Sequence, residues 1–144
     1  MKALITFFAF VAVFMSNVCA QSQRQIVKTL DLKGQTLVAS FHGAVKVVES
    51  ETEFVRITAT IDVANFSDDI LKKLVEVGRY DIKTTTSTDG KTILSMPAIE
   101  KRVIIKGVDL VERMSYEIQV PKGTNISVEA LDAPISSQPN GASL

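Results

Sequence analysis

His42 is the only imidazole in the 144 residues, and so the only side chain whose ordinary protonation range lies near neutral pH. A serine hydrolase built around it would need a nucleophile presented on a tight elbow. Serine and aspartate are plentiful, yet no Gly-x-Ser-x-Gly stretch occurs. A zinc centre would need further histidines or thiolates at ligand spacing, and Cys19 is the only cysteine. Paired acids can cleave glycosides, but Asp68 and Asp69 stand at a helix start, where the positive helix end accounts for them. Glu49, Glu51 and Glu53 alternate in a charged turn and read as a solvated cluster. With no Trp and two Tyr, a sugar-stacking platform is thinly supplied. Lys101, Arg102 and Lys106 could gather an anion, but Glu100 and Asp109 dilute them, and basic residues in strands commonly mark exposed edges. No Walker or dinucleotide loop is present. His42, beside Gly43, is expected as a solvent-facing turn residue. The residues imply no catalytic, metal or cofactor site, and hence no enzyme.

Composition narrows the setting. Residues 1–20 carry the marks of an export signal: Lys2, an apolar run from Leu4 to Met15 interrupted by Thr6, then Val18-Cys19-Ala20 before Gln21. Cleavage is expected after Ala20. The apolar run falls short of the roughly 20 residues a bilayer span needs, so no transmembrane segment is expected after cleavage. The periplasm, the outer surface or the medium is the expected location. Sixteen Lys and Arg balance sixteen Asp and Glu, and loss of Lys2 leaves a net charge of −1, which gives no electrostatic footprint for nucleic acid. Cys19 leaves with the signal, so the remaining core must hold by packing alone. Two sequons, Asn65-Phe66-Ser67 and Asn125-Ile126-Ser127, matter only in a host that glycosylates exported chains.

The elements that position these residues follow a period of two. Gln21 to Gln25 is polar and is expected as a flexible leader. Ile26, Leu30 and Leu32 share a face that Lys28 interrupts, and Leu37, Ala39 and Phe41 alternate with Val38, Ser40 and His42. Val55, Ile57, Ala59, Ile61 and Val63 alternate strictly with Arg56, Thr58, Thr60 and Asp62, which only a half-buried strand satisfies. Residues 67–77 break the pattern. Ser67 can cap, and Ile70, Leu71, Leu74 and Val75 recur at helical spacing up to Gly78. Thr88-Asp89-Gly90-Lys91 predicts a hairpin turn, followed by a strand over 92–96 that Pro97 ends. Val103 to Ile105 forms a short strand core. Met114, Tyr116, Ile118 and Val120 alternate, and Ile126, Val128 and Ala130 do so after the Lys122-Gly123 turn. The expectation is an all-β domain over residues 26–132, mainly antiparallel and arranged as a sandwich or a β-solenoid-like stack. It has one short helix, besides the signal helix, and an irregular or partial-rung tail over 133–144.

Phe41-His42-Gly43-Ala44-Val45-Lys46-Val47, followed by Glu53-Phe54-Val55-Arg56-Ile57, resembles the opening strand pair of exported bacterial adhesin-like domains of the autotransporter-adhesin or head-domain type, whose function is unknown. Tyr116 to Thr124 resembles their second hallmark, a strand ending in a Val-Pro-x-Gly-Thr turn. The resemblance spans residues 36 to 136 and implies that Ile126 to Ser136 is the first rung of a stack. Such stacks normally continue further. The family has no established catalytic residues, so none is implied here.

These observations predict a non-enzymatic structural or adhesion-type module of the bacterial cell envelope. Its contacts to another protein, or to itself, would use sheet edges by strand addition. Val103 and Ile105 mark one candidate edge, Ile126 and Val128 the other. The alternative is a periplasmic carrier of a small apolar ligand, with a pocket lined by Phe41, Phe54, Ile57 and Tyr116. A hydrolase using His42 comes last.

Overall fold

Strict alternation fixes the central strands of the molecule. In the computed structural model β4 runs Val55–Val63, and its alternate residues Val55, Ile57, Ala59, Ile61 and Val63 are all fully buried. The structure describes residues 22–131 apart from Lys33, and the backbone but not the side chain of Ala130. The expected signal segment and the 133–144 tail lie outside the described residues.

The elements in chain order are β1 (Ser22–Leu30), β2 (Leu37–His42), β3 (Ala44–Ser50), β4, α1 (Asp68–Glu76), β5 (Lys83–Thr86) and β6 (Thr92–Ser95). A 3₁₀ turn at Pro97–Glu100, β7 (Ile104–Ile105), β8 (Val108–Asp109), β9 (Glu112–Pro121) and β10 (Ile126–Leu131) complete them. The first sheet has the order β1-β4-β9-β3 and the second β10-β2-β6-β5, while β7 and β8 pair only with each other. The protein is therefore mainly β with one α-helix. The polar residues Ser22 to Gln25 belong to β1, paired with Val63 to Thr60, and are not a frayed leader. Their polarity reflects an edge strand. β4 supplies the missing hydrogen-bond partners, so apolar side chains are not required there.

The two sheets enclose one core between them, as in a sandwich. Phe41 of β2 stacks on Tyr116 of β9 with centroids 4.3 Å apart and planes 15° off parallel, which joins the sheets at their middle. Pairing direction is mixed. β1–β4, β4–β9, β5–β6 and β7–β8 are antiparallel, while β3–β9, β10–β2 and β2–β6 are parallel.

Gly43 makes the arrangement possible. It separates β2 in one sheet from β3 in the other, with φ at +122°. A Cβ there would lie 2.3 Å from the Met114 carbonyl oxygen. Only glycine combines that backbone angle with that close approach.

The helix forms as expected but is held differently. Ser67 occupies the N-cap position, yet its side chain makes no capping bond. Asp68 instead accepts two hydrogen bonds from the Arg24 guanidinium of β1, at 3.2 and 2.5 Å. Leu71 is buried, and Leu74 and Val75 pack on the core.

Candidate functional site

The two ends of the sandwich, where each sheet presents an edge strand, differ in chemistry. On one side β1 and β5 are the edges. Lys28 pairs in register with Ile57, whose side chain points into the core, so Lys28 points inward at the sheet margin. Its ammonium donates to the Ile82 carbonyl, 2.6 Å away, on the segment that leads into β5. Arg24, two register steps of the same parity away, is tied to Asp68 of α1. The exposed strand β5 carries Lys83 and three threonines, Thr84 to Thr86. Inward-pointing cations and edge lysines are standard protection against unwanted strand pairing. The lysine that interrupted the apolar face of β1 in the sequence bridges the two edges at this end, beside a cleft lined by Ile26, Lys28, Asp81 and Lys83.

On the opposite side β3 and β10 are the edges. Val45 and Val47 pair in register with the buried Tyr116 and Ile118, and Ile126 and Val128 with the buried Leu37 and Ala39. All four therefore stand on the faces that enclose the core. Yet Val47 is 36% and Val128 44% exposed. Among the described residues no strand lies beyond β3 or β10 to cover them. Glu49 ends the inward row of β3, while β10 carries a single charge, Glu129, which shares the outward parity of Ser40.

The structure brings Ile126 and Val128 together on this edge but places Val103 and Ile105 elsewhere. Ile105 pairs with Val108 in the two-stranded ribbon, and both Val103 and Ile105 pack partly against the core. The ribbon is not an edge of either main sheet. Its turn, Lys106-Gly107, has positive φ at both residues, which folds the chain back on itself after two residues of strand.

Other sequence candidates disperse. His42 closes β2 with its side chain 16% exposed, and its Nε2 lies 3.8 Å from Glu100 Oε1. It is mostly covered rather than solvent-facing, with Leu131 of β10 beside it in register and Glu100 approaching its ring. Glu49 belongs to β3, whereas Glu51 approaches Lys122. Arg102 is held by Asp109 at 2.6 and 2.7 Å, which removes it from the basic patch. Asn65 of the first sequon uses both ends of its amide, donating to the Asp109 carbonyl and accepting from the Val111 N–H. Phe41, Ile57 and Tyr116 fill the core against one another instead of lining a pocket, and Phe54 lies at the surface.

One buried cluster escaped the sequence reading. The Arg79 guanidinium donates to both carboxylate oxygens of Glu112, at 2.8 and 2.7 Å, and to the carbonyls of Ala98 and Lys101 at 3.0 Å. Tyr80 donates its hydroxyl to Glu112 at 2.6 Å. Burial, reinforced by the Glu112 charge, pushes the Tyr80 hydroxyl well above its ordinary range. The cluster ties the end of the helical segment, the 3₁₀ turn and the start of β9 together. The signal that could have found it is Glu112 itself, which shares the inward parity of Met114 and Tyr116. A charge at an inward position requires a partner.

No family model matches the chain, and no curated protein matches it. Among solved structures, a candidate cell adhesion protein from Clostridium sporogenes is similar, with a TM-score of 0.37 and 10% identity, over 74% of this chain and 46% of that one. This chain thus spans about half the length of that protein. At this distance the likeness carries no argument.

Proposed function

We propose that this protein is a non-enzymatic, exported interaction module of the bacterial cell envelope, structural or adhesive in role. Its contact surface is the β3–β10 end of the sandwich. The observation that carries the reading is the difference between the two ends. One is bridged by Lys28 and flanked by cations, while the other leaves core-facing valines partly uncovered beside an edge strand with a single charge. A ligand suited to that end is an extended segment with apolar residues at alternate positions. It adds as a further strand, its backbone meeting the edge of β10 that no other described strand occupies and its apolar side chains covering Val47 and Val128.

Retention on cells tests this. Beads carrying the chain are incubated with cells of the producing organism, and the unsubstituted chain is compared with Val128→Lys and Val47→Lys. Val27→Lys, on the remote strand β1, is the control. A charge on the open end is expected to cut retention by about tenfold, equivalent to ~1.4 kcal/mol, with the control unchanged. Equal retention by all four proteins, or none by any, refutes the reading.

A further inference from the structure

Lys28 is neutralised differently from the arginines that reach between elements. Arg24, Arg79 and Arg102 each hold a carboxylate, that of Asp68, Glu112 and Asp109. Lys28 points inward and is partly buried. Its one acceptor among the described residues is the neutral Ile82 carbonyl. That bond uses one of three ammonium protons and leaves the charge uncompensated. The acid at this margin, Asp81, takes Lys83 as its cation, at 3.7 Å. A charge drawn out of water is costly without a counter-ion.

The same lysine lines a cleft of about 550 Å³ at the β1–β5 margin, together with Ile26, Asp81, Ile82, Lys83 and Thr84. That volume is within the range of small-molecule sites. Thr84 pairs in register with the buried Leu94, so its hydroxyl stands on the core-facing side of the second sheet, as Lys28 does on the first. Ile26 shares the inward face of Lys28 and packs partly against the core. Two lysines against one aspartate leave the cleft a net charge of 2 − 1 = +1. We infer that this cleft binds a small organic carboxylate, with Lys28 and Thr84 on its anionic head and Ile26 against its apolar body. A single charge with two acceptor oxygens matches one uncompensated ammonium and one hydroxyl. A phosphate, with a charge of about −1.5 to −2, calls for more cations or the arginine fork that phosphate sites favour. The inference stands apart from the contact surface proposed above, which lies at the opposite end of the sandwich.

Titration of the amide NMR resonances with sodium hexanoate tests this, with hexanol and inorganic phosphate as comparison probes. Hexanoate is expected to shift the resonances of Ile26, Lys28, Ile82 and Thr84 in a saturable way, equally in the unsubstituted chain and in Val128→Lys. The cleft variants are made in the Val128→Lys background, which keeps the opposite end from associating. Lys28→Gln retains a donor for the Ile82 carbonyl but drops the charge, and is expected to weaken hexanoate about tenfold. Lys28→Arg keeps the charge and is expected to stay within about threefold. Thr84→Val should weaken binding by about threefold. If Lys28→Gln does not fold, as the resonances of β4 and β9 will report, Thr84→Val and the probe comparison decide alone. Hexanol binding as well as hexanoate shows that the charge is not read, and phosphate binding as well shows that the apolar body is not. Either result overturns the inference, as do shifts that are absent or lie outside the cleft. Loss of hexanoate in Val128→Lys moves its site to the β3–β10 end and also overturns it. None of these results alters the retention of the chain on cells, so the adhesive reading is judged separately.

Discussion

Tyr80 and Tyr116 are the only tyrosines of a chain without tryptophan, and both are buried. Burial first, and the nearby Glu112 charge second, raise both hydroxyls above their ordinary value of 10.0. A phenol whose folded value lies above its unfolded one supports the fold fully below the unfolded value. That support is lost as pH rises past about 10. Absorbance at 295 nm is thus expected to stay flat in the native protein through the pH range where the urea-unfolded chain ionises. It should rise only as alkaline unfolding sets in, and a native titration centred at 10 contradicts this. The same cluster sets a second expectation. Arg79→Ala leaves Glu112 buried without its cation, and denaturant melts should show a loss of about 3–5 kcal/mol. Replacing both residues together by apolar ones should recover much of that. Sequence shows Arg79 and Glu112 as two charges 33 residues apart, and only the parity of Glu112 hints at their meeting. Lys28 was legible as an interruption but not as a bridge, because its acceptor, Ile82, lies 54 residues away in the segment that leads into β5.

At the scale of elements, β4, β9 and α1 could be read from the chain because a single periodicity, 2 or 3.6, governs each. Their neighbours could not be read so directly. Alternation tells which side chains share a face and is blind to strand direction, so the parallel β10–β2–β6 arrangement left no trace in the pattern. The same blindness explains Val103 and Ile105, since an apolar triplet marks a strand without saying whether its partner is a sheet or a two-residue ribbon. Gly43 is where sequence and architecture meet most sharply. Gly43→Ala forces a methyl to 2.3 Å from the Met114 carbonyl at a positive φ, a combination of clash and backbone strain expected to cost ~3 kcal/mol or more. Gly34→Ala, with open space around it and φ at +77°, should cost only about 1 kcal/mol from strain alone. Thermal melts of the two variants check the contrast. Ser67→Ala should change stability by less than ~0.5 kcal/mol, because the side chain makes no capping bond.

For the whole molecule, an all-β body with one helix was foreseeable from the period-two pattern and its single interruption at residues 67–77. Which margins would be exposed was not, because edge status is a property of strand order and emerges only when every pairing is set. That order gives the lysine at position 28 a meaning beyond its own hydrogen bond. In polymer terms, a unit with one reactive terminus is a chain stopper, and a unit with two propagates. With one ammonium group capping the β1–β5 side, the strand addition proposed above is left a single margin. Lys28→Val removes the cap. The variant is expected to elongate into filaments that bind thioflavin and scatter light, while Val128→Lys combined with it restores a clear solution.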